Sequence, residues 1–194
     1  MNEKLFFKAQ LYFTAIITIA IFTLLSWNYF HEGVPSHHIL NDKSLPEISN
    51  WWGALLLPSL SSFLFYTLKK RVVIKDENQN IHRFPINIVY AFISALILGI
   101  LLSVFFTLGY ENFPAYILLI ILVSGLFFPI YRAEYFLGFV IGMTFTFGAV
   151  LPTVVGFILV LIGAFLYLGI RPLILYIVSR FLFRVVSRDQ KTIK

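Results

Sequence analysis

Three of the chain's four histidines, His31, His37 and His38, fall between His31 and Trp52, together with Glu32, Asp42 and Glu47. Imidazole nitrogens with a carboxylate form a donor set for zinc and similar divalent transition metals. Asp42 stands four residues after His38, so on a helical turn the two share a face. There Asp42 serves as a fourth ligand or as the carboxylate that orients His38. His31, His37, His38 and Asp42 are thus the candidate metal ligands. Glu32 or Glu111 is the candidate general base on a metal-bound water. Neighbouring residues of a strand face opposite ways, so this set requires a helical or tightly turned backbone over residues 36–41. The spacing matches no standard zinc signature such as H-E-x-x-H. A loop whose histidines simply meet water and lipid headgroups accounts for the same composition.

Elsewhere the chain offers little for chemistry. It has no cysteine, which excludes disulfides, iron–sulfur clusters and thiol catalysis. No ionisable side chain falls in the middle of an apolar run, whereas proton pumps, ion-coupled carriers and voltage sensors need such groups. Ser, Thr, Asn and Tyr are the polar residues of these runs. Their ordinary role is helix-to-helix hydrogen bonding, worth about 0.6 kcal/mol each. Trp51 and Trp52 read as an interfacial anchor rather than a stacking platform.

The elements that position these residues follow from the composition. The 194 residues are 59% hydrophobic and 12% charged, against about 25% charged in a soluble domain. Lipid must therefore be the solvent for most of the chain. A crossing helix needs about 20 apolar residues. Runs of that kind predict an all-α integral membrane protein of one domain. Six spans are expected at about 9–30, 45–68, 84–110, 114–131, 135–150 and 153–170, with a basic amphipathic tail over 172–188. Ser44 to Glu47 has the spacing of a capping box for the second helix. Pro58 should kink that helix, with Ser59, Ser61 and Ser62 placed to satisfy freed backbone groups. Residues 135–170 contain no charge and are too long for one crossing, and Gly148 to Pro152 offers the break. Arg171-Pro172 should end or kink the sixth helix.

Six spans place loops alternately on two sides. One side receives 14 of the 15 basic residues and five acids, a net charge of +9. The other receives Lys43 against Glu32, Asp42, Glu47 and Glu111, a net of −3. The positive-inside rule makes the basic side cytoplasmic, so the expected location is the plasma (inner) membrane with both termini inside. Arg180, Arg184 and Arg188 recur every four residues, as on a helix lying on anionic lipid. Gly138 and Gly142 form a GxxxG pair that permits close helix approach, within the chain first and between copies of it second.

The size and span count are similar to those of the small binding subunits of energy-coupling-factor transporters. The outer-face histidines and aspartate resemble in kind those of membrane hydrolases related to alkaline ceramidase. Neither resemblance carries over residue by residue. Three functions are expected from the sequence: binding or passage of a small neutral or apolar solute, metal-dependent hydrolysis at the outer face, and an accessory subunit without chemistry of its own. Lipid is the partner implied first and a second copy of the chain, through Gly138 and Gly142, the next; the charge distribution argues against nucleic acid.

Overall fold

The computed structural model describes residues 3–31, 33–34, 36–38, 47–75, 86–110 and 112–192. The chain opens with a long helix, α1 (Glu3–His31), and two short strands, β1 (Ser36–His38) and β2 (Glu47–Ser49). There follow α2 (Trp52–Lys75), α3 (Ile86–Thr107), α4 (Phe113–Ser124), α5 (Ala133–Phe147), α6 (Val150–Ala164) and α7 (Arg171–Thr192). A π-helical stretch, Phe165–Ile170, joins α6 to α7 without a break, so these two form one rod.

The described residues are therefore mostly helical. Phe6–His31, Ile86–Thr107 and Val150–Phe181 are long and apolar enough to cross a membrane, which supports a membrane protein. Their surfaces agree: Leu11, Ile16, Phe145, Phe165 and many other large apolar side chains are exposed. Water would not tolerate so extended an apolar surface on a monomer. Not every expected span has the length to cross alone. α4 has 12 residues and α5 has 15, about 18 and 22 Å at the usual helical rise, against about 30 Å of hydrocarbon. Six full-length helical spans are therefore not observed.

Several expected boundaries move for identifiable reasons. The helix expected over 114–131 stops at Ser124. Gly125 donates its N–H to the carbonyls of Ile121 and Leu122, and tight turns lead on to Pro129, which cannot extend a helix and restrains the residue before it. The second helix starts at Trp52, not near residue 45, because Glu47–Ser49 is a strand. β1 and β2 pair antiparallel, with Ser36 opposite Ser49, His37 opposite Ile48 and His38 opposite Glu47. The Ser36 hydroxyl donates to the Glu47 carboxylate across this ribbon. Glu47 thus acts in a ribbon rather than in a capping box, and the fold is not purely helical. Pro58 lies inside α2 and deprives the Ala54 carbonyl of its helical donor. The neighbouring serines do not replace that donor: Ser59 and Ser61 bond the carbonyls of Leu55 and Leu57.

The break between α5 and α6 falls where the sequence predicts it. Gly148 has φ 69° and ψ −178°, a region open essentially to glycine alone. Asn50 packs its side-chain amide against the Gly148 backbone, where a Cβ would collide with it. The expected stop at Arg171-Pro172 does not occur. Pro172 has no N–H for the Leu168 carbonyl, and the wider π turns lie immediately before it, so the helix passes the proline without ending.

α5 is the hub. Leu137 joins Phe6, Leu64, Phe65 and Leu68 of α1 and α2. Val140 joins Ile21, Leu25 and Leu57, nearer the other end of the same pair. Phe139 and Met143 face Ala95 and Leu102 of α3 and Ile117 and Ile121 of α4. The α3–α5 contact is backbone to backbone. A Cβ on Gly142 would sit 2.5 Å from the Leu96 carbonyl oxygen, one on Gly99 would sit 2.7 Å from the Phe139 oxygen, and one on Gly138 would strike the Phe92 oxygen. The GxxxG pair thus packs inside the chain.

Candidate functional site

His31 is the last residue of α1. Its ring stacks on Trp27 with centroids 3.9 Å apart, and its Nδ1 lies 2.9 Å from the Trp27 carbonyl oxygen. A carbonyl only accepts, so Nδ1 carries the proton, and Nε2 is the nitrogen left for any other partner. His37 and His38 belong to β1, so the backbone there is a strand and not the helical or tight turn that the metal set requires. Asp42, Glu32 and Glu111 lie outside the described residues. Among the described residues no three metal-ligating side chains are gathered.

The structure draws attention to the opposite end of the bundle. There α3, α4, α5 and α6 line a half-open cavity of about 550 Å³, within the range of small-molecule sites, roughly 300–1,000 Å³. Its walls are apolar, among them Leu98, Ile121, Ile130, Phe136, Phe139 and Leu159. Small residues also line it, Ala91 and Ala95 on α3 and Gly156 on α6, and Gly156 admits the Phe136 ring, which a Cβ there would meet at 2.9 Å. Its polar groups are few: Asn87, Tyr90, Ser94, Ser124 and Tyr135. The Ser94 and Ser124 hydroxyls donate to the carbonyls of Ala91 and Ile121 at 2.9 and 2.7 Å, so their protons are occupied and only lone pairs face a guest. Such a chamber suits an apolar molecule steered by one or two weak polar contacts.

Two charged features flank it. Glu134, in the first turn of α5, is 2% exposed and accepts from Arg71 Nη2 at 2.7 Å. A carboxylate at a helix start and a guanidinium in the last turns of another both oppose the local helix dipole, and the pair ties α2 to α5. On the other flank, Ile130 leads from the cavity wall to Tyr131, whose ring centroid lies 5.8 Å from that of Tyr167. The Arg171 guanidinium lies over the Tyr167 ring at 4.5 Å. Gly163 admits Ile130: a Cβ there would be 2.5 Å from its Cγ1. Arg132, exposed, begins α5 beside Tyr131. The π-helical stretch holds Tyr167, and π turns are frequent at functional sites.

The sequence does not single out this site, because Arg132, Glu134 and Arg171 stand between or at the ends of apolar runs, where charge marks a boundary. The recurrence of Gly163, Tyr167 and Arg171 at intervals of four was the signal available. No protein-family model, curated protein or solved structure matches this chain.

Proposed function

We propose that this is a six-span protein of the plasma (inner) membrane, with cytoplasmic termini, that binds or passes a small neutral or apolar solute through the cavity of its bundle. The observation that carries this reading is the 550 Å³ chamber between α3 and α6, with apolar walls and a few hydroxyl and amide groups. Its lining residues come from four helices. The short α4 and α5 cross the bilayer together with their adjoining turns, whose backbone is hydrogen-bonded within the chain, as backbone at membrane depth must be. The glycines that would offer a flat outer face to a partner, Gly138 and Gly142, lie against α3.

Monoolein, a neutral single-chain lipid, is a suitable probe. Native mass spectrometry of the full chain released from neutral detergent should show a bound monoolein molecule. Ser94→Phe with Val160→Phe, which place rings in the chamber, should exclude it while circular dichroism stays unchanged. Equal occupancy in the filled variant would remove the cavity from the function. On the same reading Arg180, Arg184 and Arg188 hold α7 to anionic headgroups, each contributing about 1 kcal/mol near the surface. Hydrogen exchange over residues 182–192 should then be slower in vesicles containing phosphatidylglycerol than in phosphatidylcholine alone, and equal rates would exclude that attachment.

A further inference from the structure

We propose that the ligand of this cavity is an acyl chain bearing an anionic head, with the chain in the chamber and the head between Arg132 and Arg171. This rests on the cavity reading and adds the charge of the guest. Three observations lead to it. Ile130 lines the cavity, and Tyr131 and Arg132 follow it directly in the chain. Tyr131 in turn faces Tyr167, on which Arg171 lies.

The second observation is that the rim is basic and that, among the described residues, its two arginines are not paired with an acid. Glu134, the nearest acid in sequence to Arg132, is taken by Arg71. Among the described residues no carboxylate lies in salt-bridge reach of Arg132 or Arg171. Cation–π contact with Tyr167 orients the Arg171 guanidinium but leaves its N–H groups to an acceptor. Arginine presents a planar fork that matches a carboxylate or a phosphate with two parallel hydrogen bonds.

The third observation concerns backbone register. Gly163, Tyr167 and Arg171 sit at intervals of four along a helix whose turns widen to π geometry over Phe165–Ile170. That widening lies under Tyr167, between the residue that admits Ile130 and the arginine. A purely neutral guest would need the chamber but would give the arginine and tyrosine rim nothing to bind.

The experiment uses the full chain in neutral detergent, titrated separately with oleate, lysophosphatidate and monoolein and read by native mass spectrometry. Oleate or lysophosphatidate should bind at least about tenfold more tightly than monoolein, the equivalent of one charge-assisted contact. Arg132→Gln with Arg171→Gln should abolish that preference without weakening monoolein, Arg171→Lys should restore part of it, and Arg180→Gln should leave it intact. Preference for oleate identifies a free fatty acid as the source, and preference for lysophosphatidate a phospholipid; either supports the proposal. If monoolein binds and Ser94→Phe with Val160→Phe excludes it, yet the anionic lipids bind no better or keep their preference in the double variant, the anionic-head proposal is overturned and the cavity reading stands. If none of the three lipids binds, or the filled variant binds them equally, the cavity reading falls and this proposal falls with it.

Discussion

Glu134 is almost fully enclosed, whereas Arg71 keeps about a third of its side chain in contact with solvent (2% and 35% exposed). The asymmetry decides what each substitution does. Removing the arginine leaves a carboxylate with neither water nor a cation, which typically costs about 3–5 kcal/mol; the exposed side of Arg71 puts the expected loss at the lower end. Replacing both charges with apolar residues removes the pair and its desolvation together. Arg71→Ala should therefore lower the melting temperature in detergent more than the double variant Arg71→Met, Glu134→Leu. A double variant as unstable as the single would mean that the pair is itself a net source of stability. Neither partner was legible as a partner in the sequence. Lys69 to Arg71 directly follows the second apolar run and Arg132 to Glu134 separates the fourth from the fifth, so both stretches mark boundaries, and nothing in either says which cation meets the acid 63 positions away. The sequence placed His31 just past a span ending at residue 30, and its stacking on Trp27 follows from the i, i+4 spacing only once the helix is known to include it.

At the scale of elements, α5 shows why a short helix can be central. Its two faces are used by different neighbours, α1 and α2 on one and α3 and α4 on the other. Gly138 and Gly142 let the α3 backbone approach where no side chain fits. Alanine normally gains about 1 kcal/mol over glycine inside a helix. Here the added methyl would meet carbonyl oxygens, which cannot rotate away, and overpacking of that kind costs about 1–3 kcal/mol. Gly138→Ala and Gly142→Ala should each lower the melting temperature, whereas Gly169→Ala, whose nearest neighbour would be 3.8 Å away, should not. Matching shifts at all three positions would contradict the close α3–α5 approach. The sequence made the glycine pair legible and left its partner open, because GxxxG states that something approaches closely and not what. The α5–α6 break was legible because glycine and proline punctuate a charge-free run. The β1–β2 ribbon was not, since three-residue strands in a polar stretch carry no periodicity to read.

At the scale of the whole molecule, contacts and charges agree on which segments share an end. Arg71 meets Glu134, and Tyr131 meets Tyr167 beneath Arg171, so the end of α2, the start of α5 and the α6–α7 junction lie together. Asn50 meets Gly148, and Gly53 faces Ala149, so the α1–α2 connection and the α5–α6 turn lie together as well. These are the two groups that the charge count separates, net +9 and net −3. Helix lengths alone would not have required this, since α4 and α5 fall short of a full crossing and the rod beginning at Val150 exceeds one. Its apolar portion to Phe181 has 32 residues, about 48 Å at the helical rise, so its end must leave the hydrocarbon or tilt strongly. With the positive-inside rule, a reporter fused after Lys194 should be cytoplasmic and one inserted near Asn41 should be outside. A third, placed between Asp76 and Asn80, should report with the carboxyl terminus. The third reporter tests the α2 crossing separately from the α4–α5 region. Should it and the Asn41 reporter fall on the same side, α2 does not span, and the Arg71–Glu134 pair would have to form on the outer face with the bundle reversed around it. Should only the carboxyl-terminal reporter be misplaced, the number of crossings after residue 80 is odd, and the short helices α4 and α5 together cross once instead of twice.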